Sequence, residues 1–364
     1  MTSISNEISS EWSWADREMQ VKAPLIRLAS WMTEPVCKVH EYFRTIQVVD
    51  HLAHQIFLGL GMLFWGSLCC LAPLGIGLRW IVSQIETKPY LYFQGKALEV
   101  VKNDFSLLSW NIACNSGGYS ISDAGVMPWA YRIDDIVKQL HAQDADVLSL
   151  YEVFDPEAGL YLYSQLKDQY AHFYFNIGAR VIGVNSGIFI ASKIAIENPE
   201  FIAFPKEMLV GRTKSAEKGF FSFDVADFKI FSTHLQHSEE CDYSTSEEVE
   251  ARKSEMELIM DKIRLVSGPI ILTGDLNMGD EELTTWSSHF KKGEHSEKTW
   301  GGDQFYATLV GNKQISPAMN LDYTMVQRAE ITTEIIPTGY DATIFNPSAL
   351  SDHAGLMSYV TKKV

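Results

Sequence analysis

Short apolar runs that end in an acid, an amide or a histidine punctuate the second part of this sequence. The run Pro269-Ile270-Ile271-Leu272-Thr273 passes directly into Gly274-Asp275-Leu276-Asn277. It is brief, β-branched and introduced by Ser267-Gly268, which predicts a buried strand. The same transition recurs at Ser109-Trp110-Asn111, Tyr151-Glu152, Thr233-His234, Leu321-Asp322 and Ser351-Asp352-His353. Each puts a polar side chain at the rim of a sheet. A single Asp or Asn there is an ordinary turn residue. The recurrence is what carries information.

The segments between these transitions predict a mixed architecture. From Asp104 onward, strands are expected at 105–110, 145–150, 172–177, 187–191, 219–225, 229–233, 269–273, 305–310, 322–326, 331–336 and 355–360. Helices are expected at 132–141 and 160–170, with a Gly-rich loop at Ser116-Gly117-Gly118. A longer helix follows Ser244. Thr245 and Glu248 have the spacing of a capping box, and Val249, Met256, Ile259, Met260 and Ile263 supply an apolar stripe. Many strands and few helices favour an α/β four-layer sandwich, two packed mixed β-sheets flanked by helices, over a doubly wound parallel sheet. No phosphate-binding GxGxxG or GxxxxGK[ST] loop is present.

A chain of 364 residues holds one large domain plus an appendage. The appendage is N-terminal. Residues 56–78 contain no charged side chain, and about 20 apolar residues suffice to cross a bilayer. Pro73, Gly75 and Gly77 weaken the end of that block, so a single-pass span and a re-entrant or monotopic segment both remain open. The expected organisation is a leader at 1–55, a membrane-associated hydrophobic segment at 56–83, a linker at 84–103 and a catalytic domain at 104–364. Within the leader, Leu25, Ile26, Leu28, Trp31 and Met32 recur at helical spacing, and Pro35 is expected to interrupt the helix. The five cysteines show no zinc spacing and no disulfide framework.

Residues 1–103 hold nine basic and nine acidic side chains, so the whole net charge of −16 lies in 104–364. An acidic domain disfavours nucleic acid as a partner and suits a site that collects divalent cations. The strand ends together offer the parts that metal-assisted phosphodiester hydrolysis needs. These are oxygen ligands for a hard cation, a histidine base with a carboxylate to orient it, and donors for the phosphoryl oxygens.

Asn111, Tyr151-Glu152-Val153-Phe154-Asp155, Thr233-His234-Leu235-Gln236, Gly274-Asp275-Leu276-Asn277, Leu321-Asp322-Tyr323 and Ser351-Asp352-His353 stand in the order seen in the endonuclease/exonuclease/phosphatase superfamily. The resemblance covers about residues 104–362 and implies a DNase I-like fold. Glu-Val-Phe-Asp, Ser192-Lys193, Lys218-Gly219 and Thr-His-Leu-Gln most resemble the neutral sphingomyelinase branch. Tyr151 departs from the family, where Gln usually precedes the Glu.

The resemblance implies a role for each motif residue. Glu152 would bind Mg²⁺, with Mn²⁺ as a substitute, and Asn111 would lie close by. His353 would be the general base, oriented by Asp322, and Asp352 would sit beside the metal or the attacking water. Asp275 and Asn277 would hold the water and the phosphoryl group. His234 would donate to the phosphate, and Lys193 would contact substrate. The function implied is a membrane-associated phosphodiesterase acting on a phospholipid or sphingolipid headgroup. The alternatives are an endonuclease on the same fold and a catalytically silent, membrane-tethered binding module.

Overall fold

The computed structural model describes residues 17–46, 51–84, 89–115, 126, 128–178, 184–238, 244–301, 318–337, 339–340 and 348–363. The expected loop at 116–118, the strand at 305–310, residues 1–16 of the leader and Cys241 lie outside the described residues.

Three helical segments precede the sheets: α1 (Arg17–Ile46), α2 (Leu52–Leu68) and α3 (Ala72–Gln84), the last two joined by a single 3₁₀ turn at Cys69–Leu71. Helix α1 runs through both Pro24 and Pro35, contrary to the expected break. An interior proline costs about 3 kcal/mol. Pro35 is buried, and α1 packs along both following helices, which offsets that loss. Gly61 lies against the Tyr42 ring, and Gly75 lies against Ala29, Met32 and Thr33, so α1 is antiparallel to the α2–α3 unit. A Cβ at Gly75 would collide with the Ala29 carbonyl, so this approach requires glycine. Pro73 falls in the first turn of α3, where its missing N–H is harmless. The segment Leu52–Val82 is long and apolar enough to cross a membrane.

The strands form two sheets. The first has seven strands in the order β1-β4-β5-β3-β2-β15-β12: β1 (Leu91–Gln94), β2 (Phe105–Asn111), β3 (Val147–Tyr151), β4 (His172–Phe175), β5 (Phe189–Ser192), β12 (Ala329–Ile336) and β15 (Gly355–Lys362). The second has six in the order β10-β11-β9-β8-β7-β6: β6 (Ile196–Ala203), β7 (Gly219–Val225), β8 (Phe228–His234), β9 (Ile270–Asp275), β10 (Lys291–Lys292) and β11 (Asp322–Gln327). A short pair, β13 (Gly339–Tyr340) and β14 (Ser348–Ala349), stands apart. The region expected to be a linker therefore contributes a strand. Leu91 and Phe93 of β1 are buried, and β1 pairs antiparallel with β4 at the sheet edge.

Helices α4 (Ile133–Gln143) and α5 (Pro156–Leu166) cover the first sheet, while α6 (Ser246–Ile263) and α7 (Asp280–Ser287) cover the second. Three apolar layers result. Leu108, Trp110, Leu148 and Leu150 pack with Ile133, Ile136 and Leu140 of α4. Leu107, Val147 and Ile190 of one sheet meet Phe221, Ile230 and Ile271 of the other. Phe220, Phe231 and Leu272 meet Met256, Ile259 and Met260 of α6. The alternating sides of each strand thus feed two different layers. The Thr245–Glu248 capping box is present and opens α6 as expected.

Each sheet contains one parallel pair, β2 with β3 and β8 with β9, joined by α4 and α6 respectively. Their C-terminal ends carry Asn111, Tyr151-Glu152, His234 and Asp275. The neighbours β15 and β11 run antiparallel, so their N-terminal starts arrive at the same rim. Asp322 pairs with Asp275, and Leu356 pairs with Ser109. Topology alone therefore gathers the strand-end residues from six strands.

Candidate active site

Asp275 is the centre of the cluster. Its Oδ2 accepts a hydrogen bond from Asn111 Nδ2 at 2.9 Å and lies 3.5 Å from His234 Nε2 and 3.8 Å from His353 Nε2. Its Oδ1 accepts the backbone N–H of Asn277 at 3.1 Å. Asp322 Oδ2 lies 2.8 Å from His353 Nδ1, which fixes that ring and leaves Nε2 facing Asp275. Trp110 Nε1 donates to the His353 carbonyl at 2.9 Å, and the Ser351 hydroxyl donates to the Asn111 carbonyl at 2.6 Å. These two bonds tie the His353 loop to the end of β2.

Glu152 is buried beside this group and accepts from Asn115 Nδ2 at 3.0 Å. Three residues of the rim, Ala113, Glu152 and Asn277, adopt positive φ angles of 47°, 62° and 53°. Side chains other than glycine rarely take this conformation, and such strain concentrates at functional sites. It lets each chain turn sharply as it leaves its strand. Tyr151, which precedes Glu152, sends its hydroxyl between the sheets, 2.7 Å from Ser149 Oγ and 3.3 Å from Ser232 Oγ. A tyrosine in this position braces the two sheets behind the carboxylate.

The buried charges perturb one another. Burial, with Asp322 and Glu152 close by, pushes the Asp275 carboxyl up to about 7, against the opposing pull of His353. Burial alone would lower the His353 imidazole, but Asp322, then Asp275 and Asp352, outweigh it and hold His353 well above the usual range. His234 moves the other way. Burial, then the nearby Lys218, keep it neutral, and both of its ring nitrogens lack a hydrogen-bond partner. A buried, unpartnered donor beside a carboxylate cluster is a group waiting for a ligand.

The structure brings together Asn111, Glu152, His234, Asp275, Asn277, Asp322, Asp352 and His353. Lys193 is not among them. It bonds to Asp144 Oδ1 at 2.6 Å and lies over the Tyr170 ring, at the opposite end of the sheet. Strand β5 is antiparallel to β3, with Ser192 beside Val147, so its C-terminal end meets the start of β3 rather than Glu152.

Several residues at the rim escaped the sequence reasoning. Lys218 is buried, its ammonium pushed down to about 8 by desolvation against the charges of Glu152, Asp275 and Glu255. Its place before a strand was visible, but nothing in the sequence aimed it inward. Fully buried Arg132 donates to the carbonyls of Ile112 and Ala113 at 3.1 and 2.6 Å and also to that of Leu350, joining two loops of the site. Thr299 Oγ1 accepts the N–H groups of Leu321 and Asp322 at 3.0 and 3.2 Å.

A divalent cation has oxygen donors available here. Glu152 and Asn111 offer the hard ligands that Mg²⁺ and Mn²⁺ prefer. Asp275, Asp322 and His353 also lie close enough to surround an ion.

The sequence profile of the endonuclease/exonuclease/phosphatase family matches residues 108–353. The chain belongs to that family. Solved structures similar to this family member include a mutant beta toxin from Staphylococcus aureus with bound magnesium ions (20% identity, TM-score 0.56, covering 71% of this chain and 100% of the toxin). Sphingomyelinase C from Streptomyces griseocarneus is 17% identical, with TM-score 0.55, covering 71% and 99% of the two chains. TDP2 from Caenorhabditis elegans is 18% identical, with TM-score 0.51, covering 90% and 93%. No curated protein matches the sequence. At these identities the likeness is one of fold: a DNase I-like sandwich of the metal-dependent phosphodiesterase type.

Proposed function

We propose that this family member is a membrane-associated, Mg²⁺-dependent phosphodiesterase of the sphingomyelinase type, which releases a phosphorylated headgroup from a lipid. The observation that carries the reading is the convergence, at one rim, of the Asp322–His353 pair, a neutral unpartnered His234 and buried Glu152. A bound divalent cation would neutralise charge developing on the phosphoryl oxygens. Glu152 and Asn111 would hold it. Asp322 fixes His353 so that Nε2 takes the proton of the attacking water, with Asp352 alongside. Asp275 and Asn277 position the water and the phosphoryl group. His234 donates an N–H to a phosphoryl oxygen without adding charge. Water forms the new P–O bond as the bond to the lipid oxygen breaks. The lipid oxygen takes a proton from solvent and leaves as an alcohol, His353 returns its proton to solvent, and no covalent enzyme intermediate forms.

The sphingomyelinase and magnesium-bound structures of the same fold support the substrate class and the metal. The anchor supports a lipid substrate. Leu60, Leu63, Phe57 and Leu74 are exposed on the apolar helices. Helix α1 lies antiparallel along them, and its Glu34 and Lys38 fall opposite the middle of the segment. A charge at the bilayer centre costs about 2.5–3.5 kcal/mol on insertion scales. We therefore favour a monotopic, in-plane anchor over a single-pass span. Only six residues separate α3 from β1, which keeps the sheet edge within about 25 Å of the anchor.

The test is headgroup release from sphingomyelin-containing vesicles with and without Mg²⁺, beside a plasmid-nicking control. Mg²⁺-dependent phosphocholine release without nicking supports the reading. Nicking without lipid turnover moves the substrate to nucleic acid, and neither activity favours the silent module.

A further inference from the structure

The apolar stripe expected on α6 is interrupted by buried charge. Glu248, Arg252 and Glu255 are all buried, and Arg252 and Glu255 stand one turn apart facing the end of β8. They hold a single residue, Gln236, two positions after His234. Glu255 Oε2 accepts the Gln236 N–H at 2.9 Å, and Arg252 Nη1 donates to the Gln236 carbonyl at 3.2 Å. The Gln236 side chain accepts from Val210 N–H at 2.9 Å and donates to Thr213 Oγ1 at 2.9 Å.

The peptide that joins Leu235 to Gln236 has two faces. Its N–H points back to Glu255. Its carbonyl, on Leu235, points toward the site and accepts from both Asn277 Nδ2 and Lys218 Nζ, each at 3.4 Å. In a planar trans peptide the N–H and C=O are antiparallel, so fixing one aims the other. We propose that Glu255 is a positioning residue that, through the 235–236 peptide, aims the donors Asn277 and Lys218 at the reacting phosphoryl group. Without the acceptor behind it, the N–H is left buried and unpaired, and the peptide gains a reason to rotate. Rotation would withdraw the carbonyl that holds both donors. Glutamine keeps a carbonyl oxygen at the same place and leucine does not, so the two variants test the hydrogen bond itself.

The activity part of this proposal rests on the phosphodiesterase reading, and the exchange part does not. The experiment compares wild type, Glu255→Gln and Glu255→Leu by two readouts. Amide hydrogen exchange at Gln236, measured by NMR without divalent metal, should stay slow in Glu255→Gln and accelerate at least 100-fold in Glu255→Leu, relative to neighbouring β8 amides. On bis(p-nitrophenyl) phosphate, Glu255→Leu should lose at least 10-fold in kcat with an unchanged Mg²⁺ concentration for half-activation. Glu255→Gln should recover to within about threefold of wild type. Full activity in Glu255→Leu, or Glu255→Gln as impaired as Glu255→Leu, overturns the proposal. So does unchanged Gln236 exchange in Glu255→Leu. If Glu255→Leu does not fold, an impaired Glu255→Gln with fast Gln236 exchange overturns it by itself. An inactive wild type refutes the functional reading, and the exchange data still decide the clamp.

Discussion

Replacing Asp275 by Asn should make the metal-free protein relatively more stable as pH rises. Burial moves this carboxyl from 3.8 to about 7 in the folded state. A raised carboxyl pKa means that the folded protein holds the proton more tightly than the unfolded chain. Its contribution is therefore full below about pH 4 and is lost as pH climbs to about 7. Two pH units of that loss lie between pH 5 and 7, at most about 3 kcal/mol at 1.36 kcal/mol per unit. Pairing with the His353 imidazolium reduces it. Asparagine keeps one acceptor but opposes an N–H to Asn111 or Asn277, a pH-independent cost of about 1–3 kcal/mol. The discriminating quantity is thus the change in the difference, Tm of Asp275→Asn minus Tm of wild type, between pH 5 and pH 8. At about 2–4 °C per kcal/mol for a domain of this size, it should rise by several degrees in chelator. A flat or falling difference would refute the claim that a charge is buried at Asp275 at a cost to stability.

Other consequences can be checked with less machinery. Glu152→Gln should lower kcat at least 100-fold and raise the Mg²⁺ concentration for half-activation, read from metal titrations of activity. Because Asp322, Asp275 and Asp352 hold His353 protonated, kcat/KM should rise with pH along a limb that moves to lower pH as Mg²⁺ increases. His353→Ala should abolish that limb in the pH profile. Truncation before residue 89 should release the protein from membranes with its kcat on a soluble phosphodiester intact. Truncation before residue 104 removes buried Leu91 and Phe93, at about 1.5–3 kcal/mol each, and should lower Tm in a melting scan. Cysteines placed near residues 5 and 50 should both react with an impermeant maleimide from the side that holds the catalytic domain. Labelling of either from the opposite side would contradict the in-plane anchor.

The strand ends were legible because each motif sets a polar residue against an apolar run, β-branched at Ile270-Ile271 and rich in Phe, Leu and Trp at Phe105–Trp110. Topology then had only one way to use them, through two parallel pairs flanked by antiparallel neighbours. The same logic misplaced Lys193, since a strand end is at the site only if its strand runs in the right direction, and direction is a property of the sheet. Strand β6 went unread because it is an edge strand paired only with β7, and its half-exposed sequence, Ile-Glu-Asn-Pro-Glu-Phe-Ile-Ala, has little alternation. Strand β1 was hidden by its place in a presumed linker, where four residues carry too little pattern. Glu248, Arg252 and Glu255 look like a solvated helix face. Arg252 and Glu255 are buried because Gln236 and Glu282 supply partners that lie 16 to 30 residues away, with the two guanidinium contacts to Glu282 at 2.8 and 2.9 Å, while Glu248 closes the capping box with Thr245. The helix through Pro35 exists because two neighbouring helices support it, which local propensity cannot show.

Attack of water on a lipid phosphodiester at this rim is the central expectation. Sphingomyelin vesicles hydrolysed in ¹⁸O-enriched water with Mg²⁺, followed by mass spectrometry of both products, test it most directly. One ¹⁸O atom in the phosphocholine and none in the ceramide, with no product in chelator, is the predicted result. Label in the ceramide, or release that persists without a divalent cation, would contradict it.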